Sequence, residues 1–374
     1  GGSLAHCRGR NAVSRMPSSS VRAASYKRRR VRLGMLPLAD AVPFLVARDL
    51  GFFEGQGLDV TLSLESSWAG IRDKLAVGQI DAAQLLAPMP LAANIGADRL
   101  GVPMETALTL SRNGNSITVS NALFERMDAP APEPLAAGAA LRRVIEQDRL
   151  HGRPRRVFAH VFPVSTHHYL LRDWLSVSGI DPDEDVSLIV IPPQQVLQHL
   201  REGRIDGYCV GAPWGMAAEA EGLGQRLLAT HTIRPGCAEK VLGVTRSWAT
   251  LHPAAHLSLV AALIEAGRWL EQPGHRADAA QMLIDARLIA APAETLRAAL
   301  SDDGADLRGP QFIFGGGQTL SPHHDDARWF LLQMQRWAQT RSVLDVDSTV
   351  QSSYRLRLHG QASVLATSVS SVAH

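Results

Sequence analysis

Most clusters in this sequence that could carry chemistry resolve into something plain. His323, His324, Asp325 and Asp326 have a metal-like composition, but Ser321 and Pro322 precede them, which predicts a capped, acidic helix start. The triple glycine at 315–317 lacks the strand–glycine–helix setting of a phosphate loop. Cys7, Cys209 and Cys237 are odd in number and contain no CxxC pair, so neither a disulfide framework nor a metal set follows; Cys209 sits in an apolar strand as a small core residue. A His167–His168 metal pair has no third ligand at a workable spacing. There is no GxSxG elbow and no Walker loop, and no catalytic group is assigned.

Composition and spacing select no site by themselves; four residues that the family resemblance given below brings together each also have a physical case for meeting an anion. His167 lies in the first turn of a helix opening at Thr166, where free N–H groups and an imidazole favour negative charge. His168 points about 100° around that helix and is structural or surface. Trp68 follows Ser66 and Ser67 at another helix start, and its indole N–H can donate while its ring covers an anion's edge. Gly211 ends a strand, where the missing side chain lets a backbone N–H approach closely. Lys240 offers a full positive charge. Three of them have a plain alternative: a core tryptophan, a turn glycine, a solvated lysine.

The elements that position them repeat. Lys74–Met89 and His199–Trp214 coincide at a fixed offset of 125 residues, sharing Leu75/Leu200, Gly78/Gly203, Ile80/Ile205, Asp81/Asp206, Ala87/Ala212 and Pro88/Pro213. Each copy is a helix closed by glycine, a short apolar strand and a proline-led helix. Such units build helix-covered parallel sheets whose ligands gather beyond the strand ends. Strands are expected at 31–36, 58–64, 81–86, 106–110, 116–119, 157–161, 186–191 and 205–210, with a turn at 112–115, a helix at 213–221 and a chain that then becomes helical, with helices at 254–271, 276–287, 293–300 and 325–339.

The length of 374 residues favours two domains. Composition is ordinary and globular, and the net charge of +2 is unevenly spread. Residues 1–32 carry nine basic side chains and no acid, leaving 29 basic against 36 acidic residues elsewhere, so the body shows no nucleic-acid footprint. No 18-residue apolar run predicts a membrane span, and no secretory apolar core follows the basic start; a cytoplasmic location is expected, with Met16 a possible native start. The organisation expected is a basic, disordered arm over 1–30, lobe I over 31–117 plus 228–342, lobe II over 118–227, and a loose tail over 343–374. The fold class is α/β: two α/β lobes around a central cleft with two hinge crossings.

Several stretches carry a family resemblance: ADAVPFLVARDLGFFEGQGLDV, SSWAGIRDKLAVGQIDAAQLLAPMP, FPVSTHHYLLRDWL, SGIDPDEDVSLIVIPP, GYCVGAPW and EKVLGVTRSW. In order from about 31 to 342, they resemble the nitrate- and bicarbonate-binding proteins of bacterial ABC transporters (NrtA/CmpA-like), which have a type II periplasmic-binding-protein-like fold. Without a leader, the chain is more similar still to that family's cytosolic nitrate/nitrite sensor, the NasS type. The resemblance implies nitrate or nitrite as ligand and a NasT-type RNA-binding antiterminator as partner, with no cofactor or metal. It places the ligand contacts at Trp68, Asn115, His167, Gly211 and Lys240. The bicarbonate binders carry an acid in place of Lys240 and recruit calcium, so the lysine points to nitrate or nitrite. Two departures stand out: Asn115 replaces the nitrate binders' glutamine, and Ala212 replaces the acid of their VGEPW. Two other functions fit less well. A transport component would need a leader, and a thiamin pyrimidine synthase would need a pyridoxal-phosphate lysine and a cysteine cluster.

Overall fold

The echo of 125 residues is visible in the hydrogen bonds that seat its two aspartates. The Arg32 backbone N–H donates to Asp81 Oδ2 at 2.8 Å, and the Val157 N–H donates to Asp206 Oδ2 at 2.8 Å. The return bonds match: Asp81 N–H to Arg32 O at 2.8 Å, Asp206 N–H to Val157 O at 2.7 Å. A guanidinium covers each carboxylate, Arg32 on Asp81 and Arg156 on Asp206, both at 2.8 Å. The repeated aspartate thus clamps one parallel strand to its neighbour through main-chain and side-chain bonds together.

The computed structural model describes residues 28–301, 306–316, 318–340 and 343–370. Its strands are β1 (Arg29–Met35), β2 (Leu58–Leu64), β3 (Ala82–Leu86), β4 (Met104–Arg112), β5 (Asn115–Ser120), β6 (Arg156–His160), β7 (Val186–Val190), β8 (Gly207–Gly211), β9 (Gly224–Ala229) and β10 (Ala238–Thr245). They form two five-stranded sheets, ordered β2-β1-β3-β10-β4 and β7-β6-β8-β5-β9. In each sheet four strands run one way, and the fourth in the order, β10 or β5, runs against its neighbours on both sides. Helices pack on both sheets, giving the bilobed α/β architecture. The long Pro253–Leu270 helix is buried along most of its length in the first lobe. One apolar cluster fills the first lobe and continues through Phe162, Tyr208 and Trp214 into the interface, and a second is confined to the other lobe.

The chain passes between sheets at Asn113–Gly114 and again between β9 and β10. Asn113 and Gly114 have φ of +60° and +100°, and a Cβ at Gly114 would collide with the Phe312 ring, so glycine is required there.

Four expectations need correction. Because β5 begins in the second sheet at Asn115, the first crossing precedes residue 117. The stretch after 213 holds two strands, β9 and β10, and β10 lies inside the first sheet, fully buried. The tail from 343 is not loose. Val346–Ser353 and Leu356–Ser370 are helices, Tyr354 between them is buried, and its hydroxyl donates to Ala87 O at 2.7 Å. Arg355 pairs there with buried Glu105 at 2.7 Å. The helix near 325 starts at His324, and its cap residue His323 makes no side-chain capping bond; Asp326 instead pairs with Arg112 at 2.8 Å. Of the arm expected over 1–30, residues 1–27 lie outside the described residues, while Arg29 and Arg30 belong to β1, aligned with Leu58 and Asp59.

Candidate functional site

The predicted residues enter the space between the lobes from five different elements. Ser67 caps the Trp68–Ala76 helix by accepting from Gly70 N–H at 3.0 Å, which sets Trp68 at the first helical position, 1% exposed. Ser165 caps the Thr166–Val177 helix by accepting from His168 N–H at 3.0 Å, which sets His167 in its first turn, fully buried. Asn115 opens β5 opposite Gly211, the last residue of β8. Lys240 lies in β10, opposite Leu86 at the end of β3 and Ser111 in β4.

The Lys240 ammonium is fully buried and stands 5.5 Å from the centre of the Trp68 ring, a cation–π distance. His167 Nδ1 lies 3.3 Å from Glu239 Oε1, beside Lys240, without the alignment of a hydrogen bond. Across the cleft, a Cβ at Gly211 would sit 3.3 Å from Asn115 Oδ1 and 3.5 Å from Leu38 of the other lobe. Main-chain and side-chain bonds join the lobes nearby: Ala39 N–H to Ala212 O at 3.0 Å, Thr166 Oγ1 to Ala238 O at 3.1 Å, and Gln194 Nε2 to Ser66 O at 2.6 Å. A cleft of about 560 Å³, lined by Leu64, Glu65, Ser66, Gln194 and Trp214 among others, opens beside this seam.

Among the described residues, several buried polar atoms here find no hydrogen-bond partner: Trp68 Nε1, both amide atoms of Asn115, both His167 nitrogens and Ser111 Oγ. Leaving one such atom unsatisfied costs about 1–3 kcal/mol, so a cluster of them marks a place built to meet a polar guest. Burial, followed by the Lys240 charge and His160, pushes His167 well below the ordinary histidine range, so its imidazole is neutral and brings one donor and one acceptor. His168 is taken up by His160, ring nitrogen to ring nitrogen at 3.2 Å, and is structural.

Sequence reasoning missed the counter-charges. Lys240 Nζ lies 2.9 Å from Asp40 Oδ2 and 2.9 Å from Glu239 Oε1, and both acids are 1% exposed. Asp40 stands in the turn after β1 and accepts from Gln84 Nε2 at 2.9 Å. Adjacent residues on a strand ordinarily face opposite ways, yet Glu239 and Lys240 reach each other because the β10–β4 register shifts on both sides of Lys240. Burial raises the Asp40 carboxyl above its ordinary range, against the pull of Lys240. The same two acids hold the Lys240 ammonium charged, above its usual value despite burial.

The sequence matches the profile of the NMT1-like family over residues 24–284. The chain belongs to the NMT1-like family. Within it, the chain is 32% identical over 333 residues to the bicarbonate-binding protein CmpA of Synechococcus elongatus, covering 84% of this chain and 72% of that one. It is 29% identical over 351 residues to the nitrate/nitrite binding protein NrtA of the same organism, covering 89% and 77%. It is also 36% identical over 311 residues to the bicarbonate transport ATP-binding protein CmpC, but spans only 45% of that longer chain. The crystal structure of the periplasmic nitrate-binding protein NrtA from Synechocystis superposes with a TM-score of 0.83 at 26% identity, covering 91% of this chain and 89% of that one.

Proposed function

We propose that this NMT1-like protein binds a small planar oxyanion, nitrate or nitrite, between its lobes and performs no catalysis. The observation that carries this reading is the buried Lys240 ammonium, set against partnerless donors from Trp68 and Asn115. A flat monoanion asks for in-plane donors and one positive charge in a dry setting, and these groups provide them. Gly211 keeps the Asn115 side of the cleft open, and His167 adds one neutral donor. Relatives named for nitrate, nitrite and bicarbonate support the ligand class.

In this reading the protein is a cytoplasmic sensor of the NasS type. The anion stabilises the closed lobes, and closure releases a NasT-type antiterminator held by the open form. Moving such an equilibrium from 1:99 to 99:1 takes about 5.5 kcal/mol of differential affinity. A second reading is the solute-binding component of a nitrate or nitrite ABC transporter, favoured by relatives named for import and transport. Isothermal titration with nitrate, nitrite and bicarbonate tests the ligand class: absence of binding at millimolar concentration removes it. Fractionation with pull-down, with and without nitrate, separates the roles. A soluble RNA-binding partner that leaves on nitrate addition supports the sensor, whereas a periplasmic protein associated with a permease supports transport.

A further inference from the structure

The buried charges at this site do not suit an incoming anion as they stand. Lys240 brings one positive charge, while Asp40 and Glu239 bring two negative ones, all at most 1% exposed. Neutral His167 adds none. With both acids ionised the cluster is already one unit negative, and a monoanion would double that in a water-poor space, where like charges repel most strongly. Donor supply is short as well. Neutral His167 brings one N–H and one acceptor nitrogen, so it supplies a single donor at most.

Resting on the anion-binding reading above, we propose that the site takes up one proton with each anion and that Asp40 is its seat, making Asp40 the residue that sets the charge state of the bound complex. The geometry singles out Asp40. Its Oδ1 is held by Gln84 Nε2 from β3, and its Oδ2 faces Lys240 of β10. The other acid, Glu239, lies on β10 with Lys240 at 2.9 Å and His167 of the Thr166–Val177 helix at 3.3 Å. Protonated Asp40 leaves Lys240 and Glu239 as a neutral pair and releases the ammonium's remaining attraction to the guest. Burial already pushes Asp40 in this direction. The proton comes from solvent buffer and returns there when the anion leaves; no bond is made or broken beyond that transfer.

The test is calorimetric titration of the full chain with sodium nitrate, in buffers of differing ionisation enthalpy, from about pH 6 to about pH 9. The expected result is uptake approaching one proton per nitrate at the alkaline end, with Kd weakening by up to about tenfold per pH unit there. Asp40→Asn should abolish the uptake and flatten the pH dependence while leaving nitrate bound. Nitrate binding with no proton uptake across the range overturns this inference and leaves the anion-binding reading standing. Uptake that persists undiminished in Asp40→Asn overturns Asp40 as its seat. No binding of nitrate, nitrite or bicarbonate at any pH overturns both.

Discussion

Replacing Lys240 with methionine isolates what the buried ammonium does for the fold. Methionine fills most of the same volume but carries no charge, so Asp40 and Glu239 lose the cation they share. Their facing oxygens each lie 2.9 Å from Nζ, so they are no more than twice that, about 5.8 Å, apart. Two carboxylates at that separation repel by about 3 kcal/mol at an effective dielectric of about 20, before lost hydration is counted. The variant has one escape, which is to protonate a carboxyl. From an ordinary aspartate pKa of about 3.9, that costs about 4 kcal/mol at pH 7 and about 1.5 kcal/mol at pH 5. The destabilisation is therefore capped near 4 kcal/mol at neutral pH, in the range of about 3–5 kcal/mol seen when buried pairs are broken, and shrinks on acidification. The sign follows from linkage. A carboxyl whose folded pKa is raised keeps its stability below the unfolded value and loses it as pH rises toward the folded one. Urea unfolding of both proteins at pH 5 and pH 7 reads this directly. A loss of the same size at both pH values would refute the charge argument and assign the effect to packing. A loss under about 1 kcal/mol at pH 7 would show that the two acids do not depend on Lys240. Adding Asp40→Asn to the methionine variant should recover most of the neutral-pH loss.

Three further outcomes are expected. Burial would raise the Asp148 carboxyl, but hydrogen bonds from Arg156, Arg126 and Arg153 hold it at about 2, so Asp148→Asn should lose about 2 kcal/mol at neutral pH. The gap to wild type should close as pH falls from about 4 toward about 2, measured by acid-range unfolding. Gly211→Ala places a methyl 3.3 Å from Asn115 Oδ1 and should weaken nitrate binding about tenfold by calorimetry, with the thermal midpoint nearly unchanged. Ending the chain after Asp345 removes buried Tyr354 and strands Glu105 without Arg355, so urea unfolding should show a loss of at least about 3 kcal/mol.

The features legible in the sequence were those whose signal is local. The 125-residue echo shows in a handful of identical positions because strand-end glycine, aspartate and proline each have a backbone duty, as the twin Asp81 and Asp206 clamps make plain. Strand β10 was hidden by the same residues that make it interesting. Glu239 and Lys240 interrupt its apolar pattern, and only tertiary pairing with Asp40 makes two adjacent charges tolerable inside a sheet. Asp40 itself reads as a residue that breaks an apolar run, since nothing local links it to a lysine 200 positions later. The terminal helices lack strong periodicity, and their order comes from packing on the first lobe through Tyr354 and His359, whose Nδ1 lies 2.9 Å from Ala107 O.

The same offset reaches further than the stretch that first revealed it, and it explains how the site is divided. Residues 114, 115 and 120 correspond to 239, 240 and 245: Ala87 N–H donates to Glu239 O, as Ala212 N–H does to Gly114 O. Ser120 and Thr245 each cap the helix that follows, accepting from Leu123 and Trp248 N–H, both at 3.2 Å. Asn115 and Lys240 are therefore counterparts, each near the start of an interior strand opposite the end of a repeated strand, Gly211 and Leu86 respectively. One half of the cleft presents an ammonium with both its carboxylates on the same lobe, and the other presents a neutral amide and a glycine. The bonds that cross beside the site, Ala39 to Ala212, Thr166 to Ala238 and Gln194 to Ser66, are all between neutral groups. Separating the halves then breaks hydrogen bonds of about 1 kcal/mol each and leaves the buried ion cluster whole. The unlike charges that do cross between the lobes, Arg336 with Asp173 at 2.7 Å and Arg226 with Asp306 at 3.6 Å, each have a partly exposed member, so opening the halves parts those pairs and not the buried one around Lys240.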